Sequence, residues 1–220
     1  MMRFLRDQGL AIVMFGIFAV TLVGLVFAGW DSFNRDRAMV GEAEVTLTAY
    51  VASPDFGEAI FENWESEFLQ MGAYVLLTAF LFSRGSAESR DPDHPGPQVE
   101  DLGPAGKRRK VPWPVRRGGL ALTIYEHSLT IALFAFFLVS FVLHAVMGAG
   151  AYSRELVQEG GRAIGTLDYL GTSRFWFESL QNWQSEFLSV GALIVLSIFL
   201  RERRSPESKP VAATDAQTGA

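Results

Sequence analysis

The chain has 220 residues, 49% of them hydrophobic and 13% aromatic, with positive mean hydropathy and a formal charge of −5. Apolar content of that size, gathered in blocks, excludes an ordinary soluble globule. The lack of cysteine excludes disulfides and thiolate chemistry. Charge is segregated, with an acidic stretch near residues 31 to 62 and basic clusters at GKRRK and RERR.

The first element is the uncharged run Leu10 to Trp30. About 20 residues at about 1.5 Å each match a hydrocarbon core of about 30 Å, so the run predicts a membrane span. Its basic leader MMRFLRDQG resembles a signal peptide, but the apolar core is longer than a signal sequence carries, and a retained span is the expected outcome. A second element follows the cap-like Ser53 and Pro54 as a surface helix and enters the membrane at Trp64, spanning to Arg84. Residues 83–119 hold six of the nine prolines and no hydrophobic period, which predicts a flexible linker. Within it GKRRK, beside a membrane, is expected to touch anionic lipid headgroups and not nucleic acid. His94 reads as solvated. The run Leu129 to Ala151 predicts a third span over about 127–149, broken only by Ser140 and His144. Thr172 or Ser173 caps a second surface helix, and Trp183 to Arg203 predicts a fourth span. Residues 205–220 read as a disordered tail.

Orientation follows from Lys and Arg. The termini and central loop hold fourteen of these residues, and the two other loops hold five. The positive-inside rule therefore expects both termini and the linker in the cytoplasm. Trp30, Trp64, Trp176 and Trp183 then fall near the outer interface as aromatic anchors.

Residues 63–89, NWESEFLQMGAYVLLTAFLFSRGSAES, return at an offset of 119 as NWQSEFLSVGALIVLSIFLRERRSPES, with fifteen of 27 positions identical. The same offset matches Tyr50 to Tyr169, Phe56 to Phe175, Leu10 to Leu129 and Phe18 to Phe137. Two spans per copy make the repeat parallel, with an expected pseudo-two-fold axis along the membrane normal. The predicted fold is all-α and membrane-integral: four transmembrane helices in two tandem parallel hairpins. The domains are membrane repeat 1 (1–82), linker (83–119), membrane repeat 2 (120–204) and tail (205–220). Four short helices bury little, which leaves room for a homo-oligomer.

Helical spacing aligns Asn63, Glu67, Gln70, Tyr74 and Thr78 on one face, and Asn182, Glu186, Ser189, Leu193 and Ser197 on the equivalent face. Glu67 and Glu186 lie one turn inside their tryptophans, and His144 shares that depth. Converging, two carboxylates and an imidazole could exchange a proton or hold a divalent cation, although the residues specify no metal. The competing reading is helix fastening through interhelical hydrogen bonds, and for His144 it is packing; its repeat counterpart is Leu25. No P-loop, dinucleotide fingerprint, zinc-protease motif or nucleophile elbow occurs, so neither a cofactor nor an enzyme is expected.

The FLRDQGL start, the AGW end of the first span, NWESEFLQ with RGSAESRDPD, and the echoing NWQSEFL together resemble a family of uncharacterised bacterial membrane proteins, a domain of unknown function. The resemblance covers most of the chain. It implies a bacterial cytoplasmic membrane location and four helices, and no activity. The function expected is a non-enzymatic scaffold, assembly or envelope-stress component. The alternative is a small proton- or cation-coupled channel or carrier using Glu67 and Glu186.

Overall fold

The computed structural model describes residues 7–93 and 112–219. Those residues form eight helices and no strand: α1 Gly9–Met39, α2 Leu47–Val51, α3 Pro54–Thr78, α4 Trp113–Arg117, α5 Gly119–Glu126, α6 Ser128–Gln158, α7 Thr166–Leu170 and α8 Ser173–Phe199. GKRRK and His94 lie outside the described residues. Three helices, α1, α6 and α8, are long and apolar enough to cross a membrane. None of the apolar stretch of α1 is buried inside the chain, and little of the other two.

Helix boundaries recur at the offset found in the sequence. Adding 119 to the limits of α1 (9 and 39) gives those of α6 (128 and 158), and adding it to α2 (47 and 51) gives α7 (166 and 170). α1 and α6 continue well past the expected ends at 30 and 149, because their polar extensions are themselves good helix. In α1, Asp31 and Arg35 pair across one turn at 2.5 Å, and Arg37 stands in the last turn, where the helix dipole favours a cation. α3 and α8 instead stop short of Arg84 and Arg203. Residues 79–81 tighten into turns on the carbonyls of Leu76 and Leu77. At the end of α8 the Arg201 guanidinium takes the carbonyls of Ile198 and Leu200 at 3.0 and 2.9 Å, which caps the helix.

The chain divides into two compact units. The first comprises residues 1–61 and 143–172. Its centre is a pair of repeat-related tyrosines, Tyr50 and Tyr169, both buried. Tyr50 sits between Phe33 and Phe56, each 5.3 Å away by ring centroid. Each tyrosine lies on a helix where a glycine removes the obstacle. A Cβ on Gly29 would stand 2.2 Å from the Tyr50 hydroxyl, and one on Gly148 would stand 2.6 Å from that of Tyr169.

Each long helix of this unit is also tied to the segment that follows it. The Asn34 side chain accepts from the Val45 amide at 2.8 Å and donates to its carbonyl at 3.1 Å. At the equivalent positions Ser153 accepts from the Ile164 amide at 3.0 Å and donates to its carbonyl at 3.1 Å. Arg154 pairs with Asp55 and stacks on Phe33 at 4.7 Å.

The second unit comprises residues 62–142 and 173–220. Aromatic rings pack its helices together: Phe68 on Phe136 at 5.1 Å, Phe137 on Trp183 at 6.3 Å, and Phe141 on Phe175 at 5.3 Å. After α3 and after α8 the chain makes the same turn twice. The Ser83 amide donates to Ser89 Oγ at 2.8 Å and the Glu88 amide to Ser86 Oγ at 3.1 Å. The Glu202 amide donates to Ser208 Oγ at 2.8 Å and the Glu207 amide to Ser205 Oγ at 3.2 Å. Serine hydroxyls that satisfy nearby amides favour a turn over continued helix.

Two stretches expected to be without structure are built into this unit. α4 lies within the stretch read as linker; Pro112 precedes it, and its Arg117 stacks on Trp113 at 5.1 Å. Residues 205–219, read as a disordered tail, form hydrogen-bonded turns around Lys209, which is 1% exposed. Its ammonium donates to the carbonyls of Thr214, Asp215 and Gln217 at 3.1, 3.2 and 3.1 Å. Composition gave no sign of this, because a lysine held by backbone carbonyls has no signature in hydropathy. Thr218 Oγ1 accepts from the Gly85 amide at 2.9 Å, and the Gly219 amide donates to the Ser86 carbonyl at 2.9 Å.

Candidate functional site

Within the second unit, α3 and α8 border a cavity of about 300 Å³. From α3 it is lined by Gln70, Tyr74, Leu77 and Thr78; from α8 by Phe187, Val190, Gly191 and Ile194. The turn after α3 adds Glu88 and Ser89 to the lining. Three of the five residues in the polar stripe read from α3 therefore share one space. The α8 wall is apolar, and none of its residues belongs to the stripe read from the second copy.

The polar end of this cavity is Tyr74 and Glu88. The Tyr74 hydroxyl donates to Glu88 Oε2 at 2.6 Å, a short charge-assisted hydrogen bond. Oε1 of the same carboxyl is buried, and no donor reaches it among the described residues. Glu88 also lies within hydrogen-bonding reach of Glu207, its counterpart in the second copy of the turn. Two carboxyls this close need a proton or another cation between them. Burial lifts the Glu88 carboxyl above its ordinary value; the Tyr74 hydrogen bond pulls it down, while the charge of Glu207 and the bond to it lift it further. Gln70, another polar lining residue, is 5% exposed, and its side chain makes no hydrogen bond among the described residues.

Of the residues singled out in the sequence, Glu67 on α3 and Glu186 on α8 come close enough for their charges to repel each other. Glu67 is exposed and Glu186 half-buried. Asn63 is exposed, and its carbonyl accepts from Ser66 Oγ at 2.8 Å; Asn182 accepts from Ser185 Oγ in the same way at 2.8 Å. The Asn182 amide also donates to the Glu178 carbonyl at 3.2 Å. The Asn182 side chain is thus occupied within its own helix. His144 is fully buried on α6 and belongs to the first unit, whereas Glu67 and Glu186 belong to the second.

The tryptophans divide. Trp30 donates its indole N–H to the Val45 carbonyl at 2.8 Å, and Trp183 donates to Glu65 Oε1 at 2.9 Å. Trp64 and Trp176 are 37% and 43% exposed. Glu65 was missed in the sequence. It is fully buried, and it lies two residues from Glu67, about 200° around a helix and so on the opposite face. Glu178 is also buried; one of its oxygens lies within 4.8 Å of one from Glu62, and Arg174 pairs with it one turn earlier. Arg174 supplies counter-charge there, a poor setting for a cation.

Comparison with known families matches a domain of unknown function, DUF6766, over residues 1–220. The chain belongs to the DUF6766 family. No curated protein and no solved structure matches it. The features of this DUF6766 chain with chemical potential are thus those its own residues build: the Tyr74–Glu88–Glu207 cluster, the buried Gln70, and the facing Glu67 and Glu186. The signal for the first was present in the repeat, since Glu88 and Glu207 occupy one of the fifteen identical positions.

Proposed function

We propose that this DUF6766 protein is a non-enzymatic integral component of a bacterial cytoplasmic membrane: a scaffold, assembly or envelope-stress factor. Four helices cross the bilayer as two parallel hairpins about a pseudo-two-fold axis, both termini are cytoplasmic, and the basic linker meets anionic headgroups. The observation that carries this reading is the uncovered apolar surface of the long helices, none of it buried along the apolar stretch of α1. Surface of that kind suits lipid and neighbouring helices, including those of a second copy. α3 is counted as the fourth span because an even number of spans keeps the basic segments on one side. A periplasm-active reporter fused after Arg109 should be silent; a signal overturns the orientation.

A second reading, a small proton- or cation-coupled channel or carrier, draws on the proximity of Glu67 and Glu186. The test is Glu67→Gln with Glu186→Gln in a strain whose deletion has a phenotype. Full complementation at normal abundance removes the second reading and leaves the first. Lost complementation at normal abundance reverses that order.

A further inference from the structure

The cavity in the second unit has a chemical asymmetry that packing does not require. Its walls are apolar side chains such as Leu77, Phe187 and Ile194. Its lining includes one carboxyl, that of Glu88, with a buried oxygen that receives no donor among the described residues. Further along α3 it is lined by Gln70, whose side chain makes no hydrogen bond among the described residues. Buried carboxylate oxygens are normally satisfied, and a carboxyl that lines a cavity with one oxygen short of a donor and a second carboxyl, Glu207, beside it points to a donor that enters there. The cavity, at about 300 Å³, has room for a small organic molecule.

We propose that this cavity binds a lipophilic organic ammonium ion, its apolar body between α3 and α8 and its N–H groups on Glu88. An ammonium supplies both things the acidic end needs, a donor for the buried oxygen and a positive charge beside Glu88 and Glu207. A neutral lipid chain supplies neither. The phenolic O–H of Tyr74 holds the second Glu88 oxygen at 2.6 Å, which fixes the carboxylate in place before the ligand arrives. This inference goes beyond the scaffold reading and stands on residues that neither that reading nor the Glu67 and Glu186 alternative uses.

The test is calorimetric titration of the purified full chain in detergent with 4-phenylbutylammonium, and with 4-phenylbutanol as the neutral match. The wild type should bind the ammonium at least tenfold more tightly than the alcohol. Glu88→Gln keeps an acceptor for the Tyr74 hydroxyl while removing the charge, and should bring the two affinities within about twofold. Gly191→Leu should abolish binding of both. A Cβ at Gly191 meets no atom within 4 Å, so the new side chain fills the cavity without disturbing the helix. Equal affinity for ammonium and alcohol in the wild type would make the cavity an acyl-chain site and overturn the proposal. So would an ammonium preference that survives Glu88→Gln, or binding unaffected by Gly191→Leu.

Discussion

Replacing Gly29 with alanine tests the tyrosine packing of the first unit in a way that separates its two copies. The new methyl carbon would stand 2.2 Å from the Tyr50 hydroxyl oxygen, but 3.0 and 3.4 Å from the ring carbons Cζ and Cε1. The ring cannot swing aside, because Tyr50 is 5% exposed and is flanked by Phe33 and Phe56. Overpacking of this kind costs about 1–3 kcal/mol. A chain of this length loses about 2–4 °C of Tm per kcal/mol, so the drop should fall between roughly 2 and 12 °C. The clash is almost wholly with the hydroxyl, which makes no hydrogen bond among the described residues. Tyr50→Phe should therefore restore most of the loss in the Gly29→Ala background.

At Gly148 the geometry differs. A Cβ there meets Tyr169 Cε1 at 2.6 Å and Cζ at 2.8 Å as well as the hydroxyl at 2.6 Å. Removing the oxygen leaves the ring contacts in place. It also deletes the hydrogen bond from Tyr169 to Glu58 at 3.2 Å. Tyr169→Phe should thus fail to rescue Gly148→Ala. Gly16→Ala, where nothing lies within 4 Å, is the control and should leave Tm unchanged or slightly raised. The assay is thermal unfolding of the detergent-purified full chain, arranged as two double-mutant cycles. Rescue in both cycles, or in neither, would refute the reasoning.

Two further outcomes follow from the second unit. Glu88 holds its proton more tightly when folded, so its contribution to stability is fully present below the ordinary carboxylate value of 4.5 and declines as pH rises toward its folded value. Glu88→Gln should flatten that decline in denaturation midpoints measured across mildly acidic pH; a wild-type curve identical to the variant's would contradict the raised proton affinity that burial gives Glu88. Lys209→Ala removes the donor for three carbonyls and should speed proteolysis of residues 210–219 by roughly tenfold, read by mass spectrometry. Unchanged cleavage would mean that Thr218 and Gly219 alone hold the segment.

Much of the helical framework was readable because hydropathy and self-similarity are properties of long stretches. The offset of 119 foretold where α6 and α7 begin and end once α1 and α2 are known. Ser53 was recognisable as a cap, and it accepts from the Phe56 amide at 3.3 Å. Local hydrogen-bond chemistry was harder to read. The run after Thr78 stays apolar through Phe82, so hydropathy extends the helix to Arg84, yet serine hydroxyls at 86 and 89 draw the backbone into a turn. The polar stripe on α3 favoured Glu67 by alignment, although the glutamate buried against protein is Glu65 on the other face. Periodicity identifies a face; it does not say which face the protein covers.

The hydrogen bonds that close the two units also differ in when they become available during synthesis. The ties from Asn34 to Val45 and from Ser153 to Ile164 each span 11 residues, so each forms soon after its own segment is made. The turn at Gly85 and Ser86 waits for Thr218 and Gly219, a separation of 133 residues for both bonds. Contacts that distant pay their loop-closure entropy late. The acidic part of the cavity, set by Glu88 in that same turn, is therefore completed by residues made long after it, and deleting or burdening residues 213–219 should loosen it while leaving the tyrosine-centred unit intact.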